Sequence, residues 1–354
     1  MLHLSAAVDQ PSAYDAASYL TLARLAERGG LDFVTLEDSF ARPGPDALTV
    51  LARLAPATSR VGLVPTVTTT HTEPFHVQAA VATLDWISRG RAGWRIDVSA
   101  TEGEARLFGR RRPPSPADAL WQEAGEVADA AAKLWDSWED DAEIRDVPTG
   151  RFIDRDKLHH VDFRGTSFSV KGPSIVPRSP QGHPVRVVDA TDGPARRTAA
   201  RYADVALVRA ASAPQAAAVR DQLRSMAADF GRRPDQLRVL ACLLVDLGDG
   251  EHAAEPGHGG GGPRQTPQGP LYRGGPVDLA ELVATWHGEG IVDGFHLTPV
   301  EPLRDLERLV NGTVALLQHR GLFRTFYPGS SLREHLGLAR PANQYATTEE
   351  RHEP

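Results

Sequence analysis

The sequence predicts a TIM (β/α)8 barrel, an α/β fold in which eight parallel strands alternate with helices. Short apolar runs alternate with Ala- and Leu-rich stretches along the chain, which is typical of parallel βαβ units. Eight such strand-then-helix units can be counted, the number that this barrel needs. The length of 354 residues suits one large domain, since α/β barrels often exceed roughly 250 residues as single units. A doubly wound open sheet is the structural alternative.

Each unit is predicted as an apolar strand followed by a helix. The strands are predicted at 2–8, 31–37, 61–67, 92–98, 184–188, 204–208, 237–246 and 291–297. The helices that follow them are predicted at about 15–28, 46–57, 75–88, 116–137, 194–202, 213–230, 277–288 and 302–319. Gly29 and Gly30 end the first helix. Pro74 stands at the start of the third, where a missing N–H costs little.

Two insertions interrupt the alternation, one after the fourth helix and one after the seventh strand. Residues 139–180 contain an acidic turn, a hairpin of 158–163 with 167–171 and a Pro-rich exit, so we expect an ordered insertion. Residues 248–270 include a run of four glycines and almost no apolar residues, so we expect a flexible loop near the active-site face of the barrel. We therefore expect one domain over 1–345 and a polar tail at 346–354.

Composition argues against several functional classes. The chain has 39 Lys+Arg and 46 Asp+Glu, a net charge of −7, and no basic stripe of the kind that binds nucleic acid. The single cysteine, Cys242, excludes a disulfide framework and a cysteine-based metal cluster. No apolar run of about 18 residues is present, and the first residues lack the features of a signal peptide. We expect a cytoplasmic protein without a membrane span.

Polar side chains cluster at the carboxyl ends of the predicted strands, where barrels of this class carry their chemistry. They are Asp38, Ser39, Thr66, Thr68, Thr69, Thr70, His71, Ser99, Asp189, Asp192, Asp246, His296 and Thr298. Such hydroxyls suit a large polar heterocycle held by hydrogen bonds, although β-branched threonines also favour a strand end and a turn. No histidine spacing typical of a metal site occurs, so we expect no metal. A nucleophile elbow and a nicotinamide-binding glycine turn are also missing.

A series of longer motifs is more specific than these side chains. The motifs are Thr72–His76, Leu84–Trp94, Leu134–Ala142, Arg178–Gly182, Arg320–Arg324, Leu332–Leu338 and Arg340–Asn343. In content and order they resemble the bacterial luciferase-like flavin-dependent monooxygenases, in the branch of the nitrilotriacetate and dibenzothiophene-sulfone enzymes. The resemblance covers about residues 1–345. It implies a TIM barrel with insertions that uses O2 and reduced FMN, supplied in trans by a separate flavin reductase, on a small organic substrate.

The resemblance also implies cofactor-binding residues. Asp38 matches an Asp-Ser pair near the flavin ring, Thr66 and Thr68 match a hydroxyl-bearing loop, and Ser99 matches the end of strand four. Trp121 stands at a tyrosine that contacts the cofactor in the family, and we expect it to stack or donate through its indole N–H.

Four further positions bear on the same site. Asp192 stands where the family places a serine that helps to bind the FMN phosphate. Arg196 and Arg197, in the first turn of the next helix, are expected to pair with that carboxylate or with the phosphate. Arg95 replaces the asparagine of the family's Trp-Asn pair.

The sequence leaves two alternatives to this function open. One is an oxidoreductase that uses deazaflavin F420, since that cofactor recurs in luciferase-like barrels. The other is a catalytically silent barrel that partners an active homologue. We accordingly expect a homo-oligomer or a heterodimer with a homologue, and we assign no catalytic residue from the sequence.

Overall fold

Eight strands of the chain pair in parallel around a closed ring in a computed structural model, which describes residues 1–10, 14–109, 116–248 and 262–346. In the order of the ring, the strands are β1 (His3–Ala7), β2 (Phe33–Leu36), β3 (Gly62–Thr68), β4 (Gly93–Asp97), β9 (Val185–Asp189), β10 (Val205–Arg209), β11 (Arg238–Asp246) and β14 (Gly294–Pro299). β14 pairs with β1 again. The predicted TIM barrel is confirmed, and the open sheet is wrong because β10 pairs with β11 and closes the ring.

Helices lie in the connections between successive strands and surround this ring. They are α1 (Ala16–Arg28), α2 (Ala47–Leu54), α3 (Pro74–Ile87), α4 (Glu102–Phe108), α5 (Ala117–Asp136), α6 (Gly193–Tyr202), α7 (Ala213–Asp229), α8 (Pro276–Gly288), α9 (Pro302–Arg308), α10 (Ala315–His319) and α11 (Leu332–His335). The predicted helix at 302–319 is interrupted by a π-helical turn over Leu309–Val314, which separates α9 from α10. The short α4 was not predicted, although Thr101 and Glu104 form a capping box at its start.

The amino-terminal end of the barrel is filled by apolar side chains and covered by α11. Inward-facing residues of five strands form this floor: Phe33, Val64, Val185, Val205 and Leu240. Leu332 and Leu336 of α11 pack against them. Gly62 makes this close approach possible, because a Cβ at that position would lie 2.7 Å from Leu332 Cδ1. The last part of the chain therefore completes the barrel core.

Ionic contacts tie the same terminal segment to the barrel. Asp32, fully buried just before β2, accepts a hydrogen bond from the Leu4 N–H at 2.8 Å and pairs with His3 and Arg324. Burial alone would raise the pKa of Asp32, but its contacts with His3 and Arg324 hold it below its ordinary value. Removing one partner of a buried pair of this kind typically costs about 3–5 kcal/mol. The pair thus fixes the chain beyond α10 against the start of β2.

The insertion after α5 is ordered, as predicted, but its pairing differs from the prediction. Two short hairpins form it: β5 (Glu143–Asp146) with β6 (Arg151–Ile153), and β7 (Phe163–Arg164) with β8 (Ser169–Val170). The predicted hairpin of 158–163 with 167–171 is therefore much shorter than expected, because the chain before β7 bridges Trp138 through Leu158 instead.

A terminal strap, residues 339–346, crosses this insertion. Asn343 donates to the carbonyl oxygens of Asp136 and Trp138, and Arg340 pairs with Asp140. Arg178 pairs with both Asp136 and Asp140, so one buried guanidinium links α5 to the insertion.

The segment predicted as a flexible loop, 248–270, contains part of a third hairpin. β12 (Arg264–Thr266) pairs antiparallel with β13 (Gly269–Arg273), and β13 pairs in parallel with the end of β11. The prediction of a flexible loop is wrong for residues 264–270. The hairpin is held by backbone hydrogen bonds and by burial of Tyr272, which lies just beyond the polar stretch, so the composition of 248–270 does not reveal it. Residues 249–261 of the predicted loop, and 347–354 of the predicted tail, lie outside the described residues.

No helix within the described ranges is both long and apolar enough to cross a membrane.

Candidate functional site

A cavity of about 520 Å³ opens at the carboxyl end of the barrel. Its walls come from six of the eight ring strands, from the residues just after β1 and β2, and from the turn between β12 and β13. The lining side chains that bear charge or hydrogen-bonding groups are Asp9, Glu37, Arg42, Arg95, Asp189, Arg209, Cys242, Gln268, His296 and Thr298. The β12–β13 hairpin thus forms part of the wall of the barrel mouth.

Five charged side chains form a continuous chain of ion pairs across this cavity. Arg95 Nη1 lies 3.3 Å from Glu37 Oε1, and its Nη2 lies 3.7 Å from Asp189 Oδ2. Arg42 pairs with the other oxygen of Glu37 at 3.0 Å, and Arg209 reaches Asp189 Oδ2 at 3.2 Å. Only 9% of the Arg95 side chain is exposed, so its charge requires these carboxylates. Burial raises the pKa of Glu37, but Arg95 and Arg42 outweigh it and hold that pKa below its ordinary value.

A polar layer lies beneath this chain of ion pairs. The His296 ring lies between two hydroxyls, with Nδ1 2.9 Å from Ser5 Oγ and Nε2 3.2 Å from Thr35 Oγ1. Burial, assisted by Arg95, lowers the pKa of His296 to about 3, so the imidazole is neutral. Burial also raises the pKa of the Cys242 thiol to about 12. The layer is therefore uncharged at neutral pH and contains no activated nucleophile.

A second cavity, of about 390 Å³, lies between the β2–α2 loop and the start of α3. The structure brings three of the predicted cofactor residues together there: Asp38, Thr66 and Thr68. Ser99, the fourth, joins them through a 3.0 Å hydrogen bond between its hydroxyl and that of Thr68. Thr66 Oγ1 is buried and has no hydrogen-bond partner among the residues that the structure describes. Buried hydroxyls are normally paired, so this atom marks a place for a ligand or water.

Asp38 contributes to this cavity mainly by positioning its wall. Its Oδ2 accepts a 2.9 Å hydrogen bond from the Ala47 N–H at the first residue of α2. Burial raises the pKa of Asp38 above its ordinary value.

The remainder of the threonine run has a structural role. Thr69 Oγ1 donates to the Asp97 carbonyl oxygen at 3.1 Å, and Thr70 Oγ1 accepts from the Ser99 N–H at 3.2 Å. Of the threonines proposed to bind a heterocycle, Thr66 and Thr68 thus face a cavity, and the other two join β3 to β4.

Three aromatic rings support one wall of the second cavity. The ring of Phe108, at the end of α4, stacks on His71 with 4.9 Å between centroids. It also meets Phe40 edge to face at 4.6 Å, and Phe40 itself lines the cavity. His71, which the sequence placed among the polar site residues, is therefore packed against an aromatic ring.

Trp121 lies in a third cavity, of about 910 Å³, between α5 and α6. Its indole is almost buried, and its backbone carbonyl accepts a 2.8 Å hydrogen bond from Thr198 Oγ1. Gly193 and Pro194, at the start of α6, line the same cavity. Trp121 is thus beside the helix end that the sequence assigned to a phosphate.

The carboxylate of Asp192 does not bind the helix that it precedes. Asp192 occupies the N-cap position of α6, but its side chain makes no capping hydrogen bond, and it is exposed. The first N–H groups of α6 therefore have no side-chain acceptor on the N-cap residue.

The expectation that Arg196 pairs with this carboxylate or with a phosphate finds no support in the geometry. Its guanidinium donates to the carbonyl oxygens of Ala190 and Thr191 and to Gln222 Oε1 at 2.7–3.2 Å. Arg196 therefore holds the β9–α6 loop in place, because loop carbonyls lie closer to it than the exposed carboxylate.

Asp246, a predicted position outside the cofactor set, also has structural partners. Asp246 pairs with Arg273 at 2.9 Å and with Arg304 at 2.6 Å, so it anchors β13 and α9 to the end of β11. No group of three His, Cys, Asp or Glu side chains with metal-binding geometry occurs in the described part of the chain.

Sequence reasoning missed the chain of ion pairs at the barrel mouth. Glu37, Arg42 and Arg209 were not identified, and Arg95 was noted only as a departure from a family motif. A signal was available: in a barrel strand every second residue faces inward, and Glu37 lies two residues after Thr35. Arg95 is likewise the strand partner of Thr66.

Comparisons with known proteins agree with this architecture. The family model described as luciferase-like monooxygenase matches residues 2–275. Nitrilotriacetate monooxygenase component A of Aminobacter aminovorans is 33% identical and covers 94% of this chain and 92% of its own. N-acetyl-S-(2-succino)cysteine monooxygenase of Bacillus subtilis (strain 168) is 31% identical, with 92% and 90% covered. A crystal structure of a long-chain alkane monooxygenase has the same fold, with a TM-score of 0.83, 23% identity and 95% of each chain covered.

Asp9 allows a test of the electrostatics of the mouth. Its Oδ1 accepts a 2.8 Å hydrogen bond from the Glu37 N–H. Burial, and then the charge of Glu37, raises the pKa of Asp9 from 3.8 to about 6. Because the folded state binds this proton more tightly than the unfolded state, ionising Asp9 destabilises the fold above about pH 6, and the penalty vanishes as the pH falls towards 4. Asp9→Asn is expected to raise the free energy of unfolding by about 1–3 kcal/mol near pH 8.

Urea unfolding of this variant and the parent at about pH 8 and about pH 5 checks the prediction, since the gain should shrink at the lower pH. Asp229→Asn, an exposed position at the end of α7, is the control and should show no such pH-dependent gain. An equal stability gain at both pH values would contradict the assignment.

Proposed function

The chain belongs to the luciferase-like monooxygenase family, and we propose that it is the oxygenating component of a two-component enzyme that takes reduced FMN from a separate flavin reductase. Members of this family use reduced flavin. One relative is component A of a nitrilotriacetate monooxygenase, and that name supports a second component. Within this chain the proposal rests above all on the unpartnered hydroxyl of Thr66 in the cavity beside the barrel mouth.

The residues present fit FMN at two places. Thr66 Oγ1, unpartnered within the described residues, and the Thr68–Ser99 hydroxyl pair offer hydrogen bonds to the polar edge of a flavin ring. The start of α6 offers N–H groups and the positive end of a helix dipole to a phosphate, without a capping side chain in the way. Trp121 and Arg197 line the cavity next to that helix end. We assign these residues to the cofactor, with Asp38 as a positioning residue.

Bound reduced FMN would supply the electrons that activate O2. The chain itself binds, orients and keeps water away. The apolar side of the second cavity, with Leu48, Val67 and Val77, excludes water from the hydroxyls that hold the ring. The aromatic support by Phe40 and Phe108 keeps that wall in place. The neutral His296 and the protonated Cys242 make the polar layer below the mouth uncharged.

Thr66→Val tests whether the Thr66 hydroxyl donates a hydrogen bond to, or accepts one from, the flavin ring. Without ligand the variant should be as stable as the parent or slightly more stable, because a buried hydroxyl without a partner is removed and the shape is kept. FMN binding should weaken by about three- to tenfold, the loss of one hydrogen bond. Flavin fluorescence titration and thermal unfolding check both parts. Thr83→Val on the outer side of α3, whose hydroxyl bonds to the helix carbonyl of Ala79, is the control and should leave FMN affinity unchanged.

Asp192→Ser tests whether the FMN phosphate binds at the start of α6. An exposed carboxylate at the N-cap repels a phosphate bound at the start of α6, although solvent screens much of the roughly 4 kcal/mol expected at about 4 Å. A third of that energy corresponds to about a tenfold change in the dissociation constant. The variant should therefore bind FMN up to about tenfold more tightly than the parent. Riboflavin, which has no phosphate, should bind equally to both proteins. Equal FMN affinity in both would place the phosphate elsewhere.

The reaction itself is tested by reconstitution. The purified chain with FMN and NADH should not oxidise NADH, and turnover should begin when a separate flavin reductase is added. Efficient NADH oxidation by the chain alone would contradict the two-component proposal. Titration with F420 and with reduced FMN in the same experiment distinguishes the other functions: selective binding of F420 would favour an F420-dependent oxidoreductase, and binding of neither would favour a catalytically silent subunit.

A further inference from the structure

The guanidinium of Arg95, in the barrel mouth cavity, is buried with only part of its hydrogen-bonding capacity satisfied. Its side chain is nine-tenths buried, yet it makes a single hydrogen bond within the described residues, from Nη1 to Glu37. Nε has no partner there, and Nη2 is 3.7 Å from Asp189, an ion pair but beyond hydrogen-bond distance. An arginine carries five N–H donors, and buried donors are normally paired. The free donors of Arg95 therefore call for an acceptor in the cavity that this residue lines.

Arg209 provides a second cationic group at the same place. It reaches the same oxygen of Asp189 that faces Arg95, so the two guanidinium groups share one carboxylate oxygen. Arg95 also pairs with Glu37, whereas Asp189 is the only carboxylate within salt-bridge distance of Arg209 among the described residues, so one shared oxygen leaves donors of both arginines without an acceptor. Arg209 is 42% exposed and can turn its remaining N–H groups towards a ligand. A planar anion with two oxygens matches such an arrangement, because guanidinium groups bind carboxylates in a bidentate manner.

Asp9, which lines the same cavity next to Glu37, limits what else the ligand carries. Its Oδ2 has no hydrogen-bond donor, and no cation lies within salt-bridge distance of it, in the described portion of the chain. A second carboxylate of the ligand beside Asp9 would be repelled, whereas an amine would be attracted.

We propose that Arg95 and Arg209 bind the carboxylate of the substrate while Asp9 accepts a hydrogen bond from an amine, so that the substrate is a small amino acid-like compound with one carboxylate. This inference rests on the proposed function, since it names the substrate class of the same enzyme. The cavity of about 520 Å³ is large enough for such a compound.

Direct binding measurements on the flavin-free protein test the proposal. The probes are 4-aminobutyrate, its amide 4-aminobutanamide and the dicarboxylate glutarate, which have the same chain length. By calorimetry the parent should bind 4-aminobutyrate at least about fivefold more tightly than either of the others, because each lacks one of the two complementary groups. The parent binding none of the three at tens of millimolar, or binding the amide equally well, would overturn the proposal.

Substitutions then assign the effect to the named side chains. Arg95→Lys keeps the positive charge beside Glu37 but removes the paired N–H groups that can bind both oxygens of a carboxylate. Arg209→Gln removes the second guanidinium at a side chain that is 42% exposed, where a substitution is tolerated. Both should weaken 4-aminobutyrate binding at least about fivefold. Arg233→Gln, an exposed arginine paired with Asp235 before β11, is the matched control and should leave binding unchanged.

FMN titration of the same variants separates this proposal from the proposed function. We expect unchanged FMN affinity in Arg209→Gln and in Arg95→Lys. If Arg95→Lys weakens FMN binding and leaves 4-aminobutyrate binding intact, the guanidinium serves the flavin, and the inference is wrong while the flavin function stands. If the parent binds 4-aminobutyrate but no flavin, the proposed function fails independently of the carboxylate site.

Discussion

Closing eight strands into a ring forces every second side chain of each strand into an enclosed interior, and the organisation of this protein follows from that constraint. Near the amino-terminal end the inward side chains are apolar and pack under α11. Midway, Ser5, Thr35 and His296 satisfy one another. At the mouth the inward side chains are charged, and Arg95 is paired across the barrel with Glu37 and Asp189, because an unpaired charge at such a place costs about 3–5 kcal/mol. The polarity of the interior thus rises from floor to mouth, where a ligand can enter.

The fold was predictable from sequence where the pattern is local. Apolar runs such as 61–67 and 237–246 match β3 and β11, and the predicted helices α3 and α8 follow them, each beginning at a proline. Strand and helix periodicity are carried by neighbouring residues, so such elements can be predicted from the sequence. The β12–β13 hairpin was not predictable in this way. Its residues are polar and glycine-rich, and the pairing depends on backbone groups at the end of β11, far away in sequence. The π-helical turn at Leu309–Val314 likewise leaves no trace in the hydrophobic pattern.

The candidate site divides along the same line. Asp38, Thr66, Thr68 and Ser99 could be identified because each stands at a strand end, and strand ends converge on one face of the barrel. Arg95, Glu37 and Asp189 could not be assembled, since their meeting depends on the register between β2, β3, β4 and β9. Arg196 was identified from the sequence but has another role. Its position suggested a phosphate ligand, but its guanidinium donates to carbonyl oxygens of the β9–α6 loop. Sequence position gives proximity, whereas the pairing partner is decided by competition in three dimensions.

The covering of the barrel floor by α11 also sets an order of events during synthesis. The strands that form the floor are translated long before Leu332 and Leu336, which shield them, and before Arg324, which pairs with the buried Asp32. A chain that still lacks these residues leaves the apolar floor uncovered, and Asp32 has not yet met the guanidinium of Arg324. Exposed apolar surface of this kind is prone to aggregation. We therefore expect this apolar surface to stay exposed during synthesis until the segment with Arg324, Leu332 and Leu336 has emerged.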